Sequence, residues 1–132
     1  LQLRTLSAGK MKTSAGNLLP TNEAGIDPNS PPSFFVAGDI RANENLTLIS
    51  IHSLFLREHN RLADQFAKAH PNWTDEQLYQ EARRWVIAEL QSITYNEFLP
   101  AILGQKLPQY KGYNANINPG INNEFATAAY RF

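Results

Sequence analysis

The chain has 132 residues, and its 12 basic and 12 acidic side chains cancel to a formal net charge of zero. A balanced charge favours neither nucleic acid nor an anionic membrane as a partner. No apolar run approaches the roughly 18 residues of a membrane-spanning helix, and the lack of cysteine excludes disulfides and thiolate sites within the chain. We therefore expect no nucleic-acid partner and no membrane span.

Residues 1–45 show no sustained hydrophobic period and are rich in glycine, proline and asparagine. This composition predicts mostly irregular structure. So long an irregular segment is uncommon in a compact domain unless it wraps over other elements or carries function. The apolar burst "SFFVAGD" near its end is compatible with a short buried strand or a buried loop.

A first long helix is predicted over residues 46–69, where apolar side chains recur at spacings of three and four. Asn43 or Asn45 is a suitable N-cap, because a short polar side chain can accept a hydrogen bond from a free amide of the first turn. Pro71 disfavours helical geometry at His70 and is expected to end the helix.

A second helix is predicted over residues 75–103. Thr74 followed by Gln77 fits a capping box at its start. Pro100 is expected to kink this helix, because proline lacks the backbone N–H that the helical ladder needs. Gly104 is a suitable terminator.

The predicted fold class is mainly α. The short link "HPNWT" favours an antiparallel hairpin of the two long helices. Residues 105–121 are predicted as loop and residues 122–132 as the start of a third helix. Two amphipathic helices with extensive loops do not close a good core, because wide apolar stripes need a further partner. We therefore expect residues 1–132 to be an internal fragment of a single larger domain.

His52 and His59 lie seven residues apart on the apolar face of the first predicted helix. This spacing puts them about 10 Å apart along the axis, which is too far for one metal ion to bind both. We therefore favour a structural role, with each imidazole hydrogen-bonded to backbone or to a carboxylate, over metal or haem ligation.

The stretch "LREHNRLAD" in the same helix is dense in charge. Its side chains can pair at spacings of three and four. The pattern is equally compatible with a solvated helix face and with a buried ion network between helices of a larger domain. The residues concerned are Arg57, Glu58, Arg61 and Asp64.

The stretch "AGDIRANENLTL" places Arg41 and Glu44 three residues apart, just before the first long helix. On spacing alone, the favoured interpretation is an ion pair at the helix start. The alternative is that both groups point at a bound molecule.

Four stretches of the sequence occur in a diagnostic order: "GKMKTSAGNLLP", "AGDIRANENLTLISIHSLFLREHNRLA", "HPNWTDEQLYQEARRWVIAELQSITYNEFLPAILG" and "NEFATAAYRF". In these stretches the chain resembles the animal-type haem peroxidases of the peroxidase–cyclooxygenase superfamily, which include myeloperoxidase, peroxidasin, peroxinectin and bacterial members. The resemblance implies a partial haem-peroxidase fold. It also implies a parent enzyme that reduces hydrogen peroxide and oxidises halides, thiocyanate or organic donors.

The resemblance implies roles for two residues. The family motif G-D-x-R-x-x-E carries an arginine on the distal side of the haem, and Arg41 matches it as a catalytic residue. The glutamate of the motif can form an ester with a methyl group of haem b, and Glu44 matches it as a haem anchor. Some members have a methionine next, which forms a further sulfonium link. Asn45 stands there instead, so we expect no such link.

The resemblance also implies that other parts of the site lie outside these residues. The distal histidine and the calcium-binding loop of the family come before the matching stretches, and the proximal haem histidine is expected just after Phe132. We do not expect His52 or His59 to replace it. Without the axial ligand and the acid–base histidine, the isolated chain is expected to be inactive. The implied partners are hydrogen peroxide, a small reducing substrate and the remainder of the parent polypeptide, and the family favours secretion.

Two other functions fit the same resemblance. A fatty-acid dioxygenase of the cyclooxygenase type shares the fold and the "REHNR" helix, and would need a radical-forming tyrosine outside this chain. A non-catalytic scaffold or adhesion protein could also retain the fold. The Arg-x-x-Glu motif favours a peroxidase, because a covalent haem ester suits oxidative halide chemistry.

Overall fold

A computed structural model describes residues 2–129 of the chain. Two long helices, α1 (Leu46–Ala69) and α2 (Asp75–Ile93), pack against each other as an antiparallel hairpin. A π-helical turn (Thr94–Phe98) joins α2 to a short helix, α3 (Leu99–Leu103). Within the described range there are isolated β-bridges but no strand. The mainly α fold class is therefore confirmed.

Local sequence signals fix the ends of α1. Of the two candidate caps, Asn45 has the role: its Oδ1 accepts a hydrogen bond from Leu48 N–H at 2.9 Å. At the other end, the N–H of His70 donates to Phe66 O, and Pro71 follows.

None of the helices in the described part of the chain has the length and apolarity needed to cross a bilayer.

The start of α2 has the predicted capping box. Thr74 Oγ1 accepts from Gln77 N–H at 3.3 Å, and Gln77 Oε1 accepts from Thr74 N–H at 2.9 Å. The predicted kink is instead a change of helix type: the chain adopts the π-helical turn just before Pro100. Pro100 has no backbone N–H to donate to the helical hydrogen-bond ladder, and the wider π-helical turn accommodates this missing bond. Gly104 ends α3 with a φ of 68°.

The hairpin is held together by small buried side chains. Ala63 and Ala82 are fully buried where α1 crosses α2, and Leu62 is buried beside them. Alanines at a crossing let two helices approach closely. Phe66 and Val86 pack around this centre, so the hairpin core is narrow.

The irregular segment, residues 2–45, wraps over the other face of α1. Its apolar burst is a loop, with one isolated bridge between Thr21 and Phe35 and with Val36 buried. The second apolar cluster therefore combines loop and helix residues: Leu19, Ala42 and Leu56 at its centre, with Met11, Phe35 and Ala37 around them.

Polar side chains of α1 hold the irregular segment by its backbone. Asn60 Nδ2 donates to Met11 O at 3.0 Å, and Asn60 Oδ1 accepts from Met11 N–H at 2.8 Å. Arg57 donates to the carbonyl oxygens of Asn17 and Gly16 at 2.7 and 3.0 Å. Arg57 and Asn60 thus attach the irregular segment to α1 through its backbone.

The segment also reaches α2, through Gly9. The carbonyl of Gly9 accepts from His59 Nε2 at 2.9 Å, and its N–H donates to Asp75 Oδ1 at 2.7 Å. With a φ of +70°, Gly9 presses so closely on α2 that an added Cβ would lie 2.6 Å from Tyr79 N and 2.7 Å from Leu78 Cβ. This backbone conformation favours glycine, and the gap leaves no room for a side chain.

Arg4 also binds the irregular segment to α2, through its charge. Its guanidinium donates to Asp75 and Glu76, the two acids in the first turn of α2, and lies 3.8 Å from the centroid of the Tyr79 ring. The Arg4 side chain is 9% exposed, whereas those of Asp75 and Glu76 are 27% and 60% exposed, so solvent screens the pair with Glu76 more than the pair with Asp75. Asp75 and Glu76 lie where acids also complement the helix dipole, and through Arg4 they hold the irregular segment.

Neither interpretation of "LREHNRLAD" describes it fully. Arg61 pairs with Glu58 on a half-solvated face, and Asp64 pairs with Lys10 of the irregular segment at 2.6 Å. Arg57 binds backbone carbonyls instead of a carboxylate. The stretch therefore combines one ion pair within α1 with contacts from Arg57 and Asp64 that attach the irregular segment to the helix.

The second half of the hairpin keeps much apolar surface exposed, and residues 105–122 are an exposed loop. A π-helical turn (Phe125–Ala129) stands where the third helix was predicted, and residues 130–132 of that prediction lie outside the described residues. That residues 1–132 belong to a larger domain stays a prediction. The exposed apolar side chains of this region include Trp85, Leu90, Ile93, Tyr95, Phe98, Ile102 and Leu103.

Candidate functional site

A single 3₁₀ turn (Ile40–Asn43) positions the two residues of interest. In such a turn, residues three apart leave the backbone on the same side. Glu44 N–H donates to Arg41 O at 3.0 Å, so the turn extends as far as Glu44. Ala42 is buried against α1 at 1% exposure and fixes the opposite side of the turn. Arg41 and Glu44 therefore share the exposed face.

Arg41 is bound by Asp39, the N-cap of the turn. Asp39 Oδ1 accepts from Arg41 Nε at 3.0 Å and Oδ2 accepts from Nη2 at 2.7 Å, a bidentate pair. Hydrogen bonds from Arg41 hold the pKa of the Asp39 carboxyl well below its usual range. The interpretation from spacing named Glu44 as the ion-pair partner. The structure instead shows the carboxylate of Asp39 on the guanidinium, because Asp39 is extended and directs its side chain along the turn.

Asn43 ties the turn to the irregular segment. Its Nδ2 donates to Phe35 O at 2.6 Å, and its Oδ1 accepts from Phe35 N–H at 3.1 Å. The sequence offered Asn43 only as a helix cap, and Asn45 has that role. No periodic pattern marks an asparagine that binds the backbone of a residue eight positions away, so this contact was not predicted.

The surface around the turn combines a charged pair with large apolar groups. Ile40 is 86% exposed and Leu46 is 80% exposed, and the two flank Arg41 and Glu44 in the sequence. A guanidinium, a carboxylate and two solvent-facing aliphatic side chains together suit a flat, largely apolar ligand with polar edges. The residues present therefore fit a porphyrin, whose ring takes apolar contacts and whose edge carries polar groups.

The two histidines of α1 each bind a backbone carbonyl, and His52 also lies close enough to Asp39 to help lower the pKa of that carboxyl. His59 is 6% exposed and donates to Gly9 O, and His52 Nδ1 donates to Leu48 O at 2.8 Å. Both imidazoles thus bind backbone carbonyls, which is the structural role favoured from their spacing. Burial lowers the pKa of His59, the hydrogen bond to Gly9 opposes this, and nearby Arg4 adds to it. Across residues 2–129, no three His, Asp or Glu side chains gather as a metal-ligand set.

The chain is similar to known proteins over its whole length. The sequence model described as animal haem peroxidase matches residues 1–132, the whole chain. Peroxinectin A of Dictyostelium discoideum is 46% identical over 139 aligned residues, which cover 98% of this chain and 26% of that protein. A solved structure of the same kind of protein is also similar to this chain. Peroxidase A from D. discoideum superimposes with a TM-score of 0.87 and 44% identity, covering 98% of this chain and 27% of the other.

A second group of solved structures has the same fold. The fatty acid alpha-dioxygenase of Oryza sativa superimposes with a TM-score of 0.66 and 30% identity, over 80% of this chain and 16% of that one. The chain thus spans about a quarter or less of the relatives described here. The family match over all residues confirms the resemblance found in the sequence: the chain belongs to the animal haem peroxidase family.

Proposed function

We propose that the protein is a haem-dependent peroxidase that reduces hydrogen peroxide and oxidises a small donor such as a halide, thiocyanate or a phenol. The observation that carries the proposal is the placing of Arg41 and Glu44 on one exposed face of a buttressed turn, in a chain of the animal haem peroxidase family. The turn is fixed on its other side by buried Ala42 and by the clamp from Asn43.

Haem b, when bound, supplies the iron at which peroxide is reduced. Glu44 is proposed to hold it, because an exposed carboxylate on a fixed turn can form an ester with a ring methyl group. Ile40 and Leu46 would give apolar contact to the ring, and covering these exposed side chains would itself favour binding. Asn45 caps α1 and has no thioether, so no sulfonium link is proposed.

Arg41 is proposed to act on the peroxide. As the O–O bond breaks, negative charge develops on the leaving oxygen, and a guanidinium fixed in place stabilises that charge without reorganising. Removing one such donor from a preorganised site typically slows the reaction by about 10²- to 10³-fold. The histidine that binds the iron, the acid–base histidine and the calcium site belong to family segments other than those matched here. Their place in this protein, and its secretion, stay predictions.

A second candidate function is fatty-acid oxygenation. It is favoured by the structural similarity to the O. sativa fatty acid alpha-dioxygenase. That similarity covers less of the chain at lower identity than the match to Peroxidase A, so the peroxidase remains the first proposal.

One experiment separates these functions. The protein is expressed from its complete reading frame with haem, and two rates are measured: peroxide-dependent oxidation of iodide, thiocyanate and guaiacol, and oxygen uptake with palmitic acid. We expect a haem absorption band and donor oxidation that depends on peroxide. Oxygen uptake with fatty acid alone would favour the dioxygenase. Failure to take up haem would favour a scaffold without catalysis.

A further inference from the structure

We propose that Asp39 is a positioning residue for Arg41, with a carboxylate that sets the direction of the guanidinium during reaction with peroxide. This inference rests on the proposed peroxidase function and assigns a role to a residue beyond Arg41 and Glu44. It is carried by three hydrogen bonds between two residues that are only two positions apart.

The contact has the geometry that fixes an arginine most firmly. Two nearly parallel N–H···O bonds, of 3.0 and 2.7 Å, hold the planar guanidinium in the fork of the carboxylate. A single bond would allow rotation about its axis, whereas a bidentate pair also fixes the plane. The Arg41 side chain is 69% exposed, and the bidentate pair with Asp39 restricts the rotamers of this long side chain.

Asp39 is itself fixed by the turn that it caps. Its Oδ1 accepts from Arg41 N–H at 2.9 Å, and its backbone carbonyl accepts from Ala42 N–H at 3.2 Å. Ala42 is buried in the apolar cluster against α1. The Asp39 carboxylate is therefore fixed by the backbone of the same turn that carries Arg41. Contacts thus connect α1 to the guanidinium through Ala42 and Asp39.

The charge of Asp39 suits this positioning role. Because Arg41 keeps the pKa of Asp39 well below its usual range, the carboxylate stays ionised at neutral and mildly acidic pH. A carboxylate that remains charged can orient an arginine without exchanging protons with it. We therefore assign Asp39 a positioning role through Arg41 and not an acid–base role.

Conservative replacements separate this role from capping. Asp39→Asn keeps a good N-cap and one acceptor oxygen but loses the charged fork. Asp39→Ala loses both the cap and the fork. Asp39→Glu keeps the charge on a longer side chain and serves as a partial rescue. If Asp39 only capped the turn, Asp39→Asn would match the wild type.

The test uses the haem-loaded protein from its complete reading frame. Three quantities are measured for each variant: the bimolecular rate constant with hydrogen peroxide, the dissociation constant of fluoride at the ferric haem, and the midpoint of thermal unfolding. Fluoride reports on the guanidinium without turnover. We expect Asp39→Asn to lose about 10- to 100-fold in rate, as is typical when a supporting group is removed, and to weaken fluoride binding while its unfolding midpoint stays near that of the wild type.

A double-mutant cycle with Arg41→Ala decides the inference. If Asp39 acts through Arg41, adding Asp39→Asn to Arg41→Ala should change neither the rate nor fluoride binding further. Wild-type behaviour of Asp39→Asn, or an equal loss in both backgrounds, would overturn the inference. A slow Arg41→Ala beside a normal Asp39→Asn would overturn this inference alone, whereas a normal Arg41→Ala, or a wild type without haem, would overturn the proposed function with it.

Discussion

Asn60 on α1 and Met11 in the irregular segment exchange two hydrogen bonds, one from the side-chain amide to the backbone carbonyl and one in return. The side chain thus satisfies both backbone groups of one residue, as a neighbouring strand would. Asn43 and Phe35 repeat the pattern beside the 3₁₀ turn. Two asparagines therefore satisfy backbone groups that have no partner in a strand.

The first prediction concerns this clamp. Asn60→Ala removes two partly buried hydrogen bonds, and we expect the free energy of unfolding to fall by about 1–3 kcal/mol. Asn60→Asp keeps the acceptor for Met11 N–H but loses the donor to Met11 O. Its free energy of unfolding should therefore lie between those of the wild type and Asn60→Ala. Lys68→Ala, at an exposed position of α1, is the control and should change little. Urea unfolding measures all three, and a loss no greater than that of the control would contradict the clamp.

The second prediction compares two glycines with similar backbone angles. Gly9 has a φ of +70° and Gly16 a φ of +73°, but only Gly9 presses on α2. Gly16→Ala should cost about 1 kcal/mol of stability, from backbone strain alone. Gly9→Ala adds a clash with backbone atoms, and we expect a further loss of about 1–3 kcal/mol. Thermal unfolding compares the two, and equal losses would show that Gly9 does not touch α2 closely.

The third prediction follows from the buried imidazole of His59. Burial lowers its pKa in the folded protein, so the unfolded chain takes up the proton first as the pH falls. This contribution to stability is complete above the unfolded pKa of about 6.5 and is lost as the pH falls below that value. Between pH 7 and 5 we expect stability to fall by up to about 1.4 kcal/mol per pH unit.

His59→Gln is the matched variant for this pH effect. Glutamine can still donate to the carbonyl of Gly9 but does not titrate. The variant should be less stable at pH 7 and show a flatter profile between pH 7 and 5. An unchanged slope in urea unfolding across that range would mean that another group is responsible.

The fourth prediction tests the proposed haem anchor. Glu44→Gln keeps the size of the side chain but cannot form the same ester. Acid–acetone extraction of the haem-loaded protein should therefore release more haem from Glu44→Gln than from the wild type. Glu23→Gln, at an exposed position in the irregular segment, is the control and should release no more than the wild type. Equal release from all three proteins would remove the ester from the proposal.

Much of the scaffold was predictable because its signals are local. The cap at Asn45, the capping box at Thr74 and the terminator Gly104 each depend on residues a few positions apart, and the structure has all three. The π-helical turn before Pro100 was missed. Proline signals that the ladder is interrupted, but not whether the chain bends or widens in response.

The irregular segment shows where sequence reasoning reached its limit. Its hydrogen bonds join residues about 50 positions apart, such as Met11 and Asn60, and no period in the sequence connects them. The same limit applies to the candidate site. Spacing offered Glu44 as the partner of Arg41, but capping geometry gave that place to Asp39. The face shared by Arg41 and Glu44 is a property of the 3₁₀ turn, which the sequence did not predict.

The central claim is that Arg41 acts on peroxide, and its most direct test is the rate constant for reaction of the haem-loaded protein with hydrogen peroxide. We expect Arg41→Ala to retain haem and to react about 10²- to 10³-fold more slowly than the wild type. The rate constant of Arg41→Lys should lie between those of the wild type and Arg41→Ala, because an ammonium point charge replaces the bidentate guanidinium. A haem-loaded Arg41→Ala that reacts with peroxide at the wild-type rate would contradict the account.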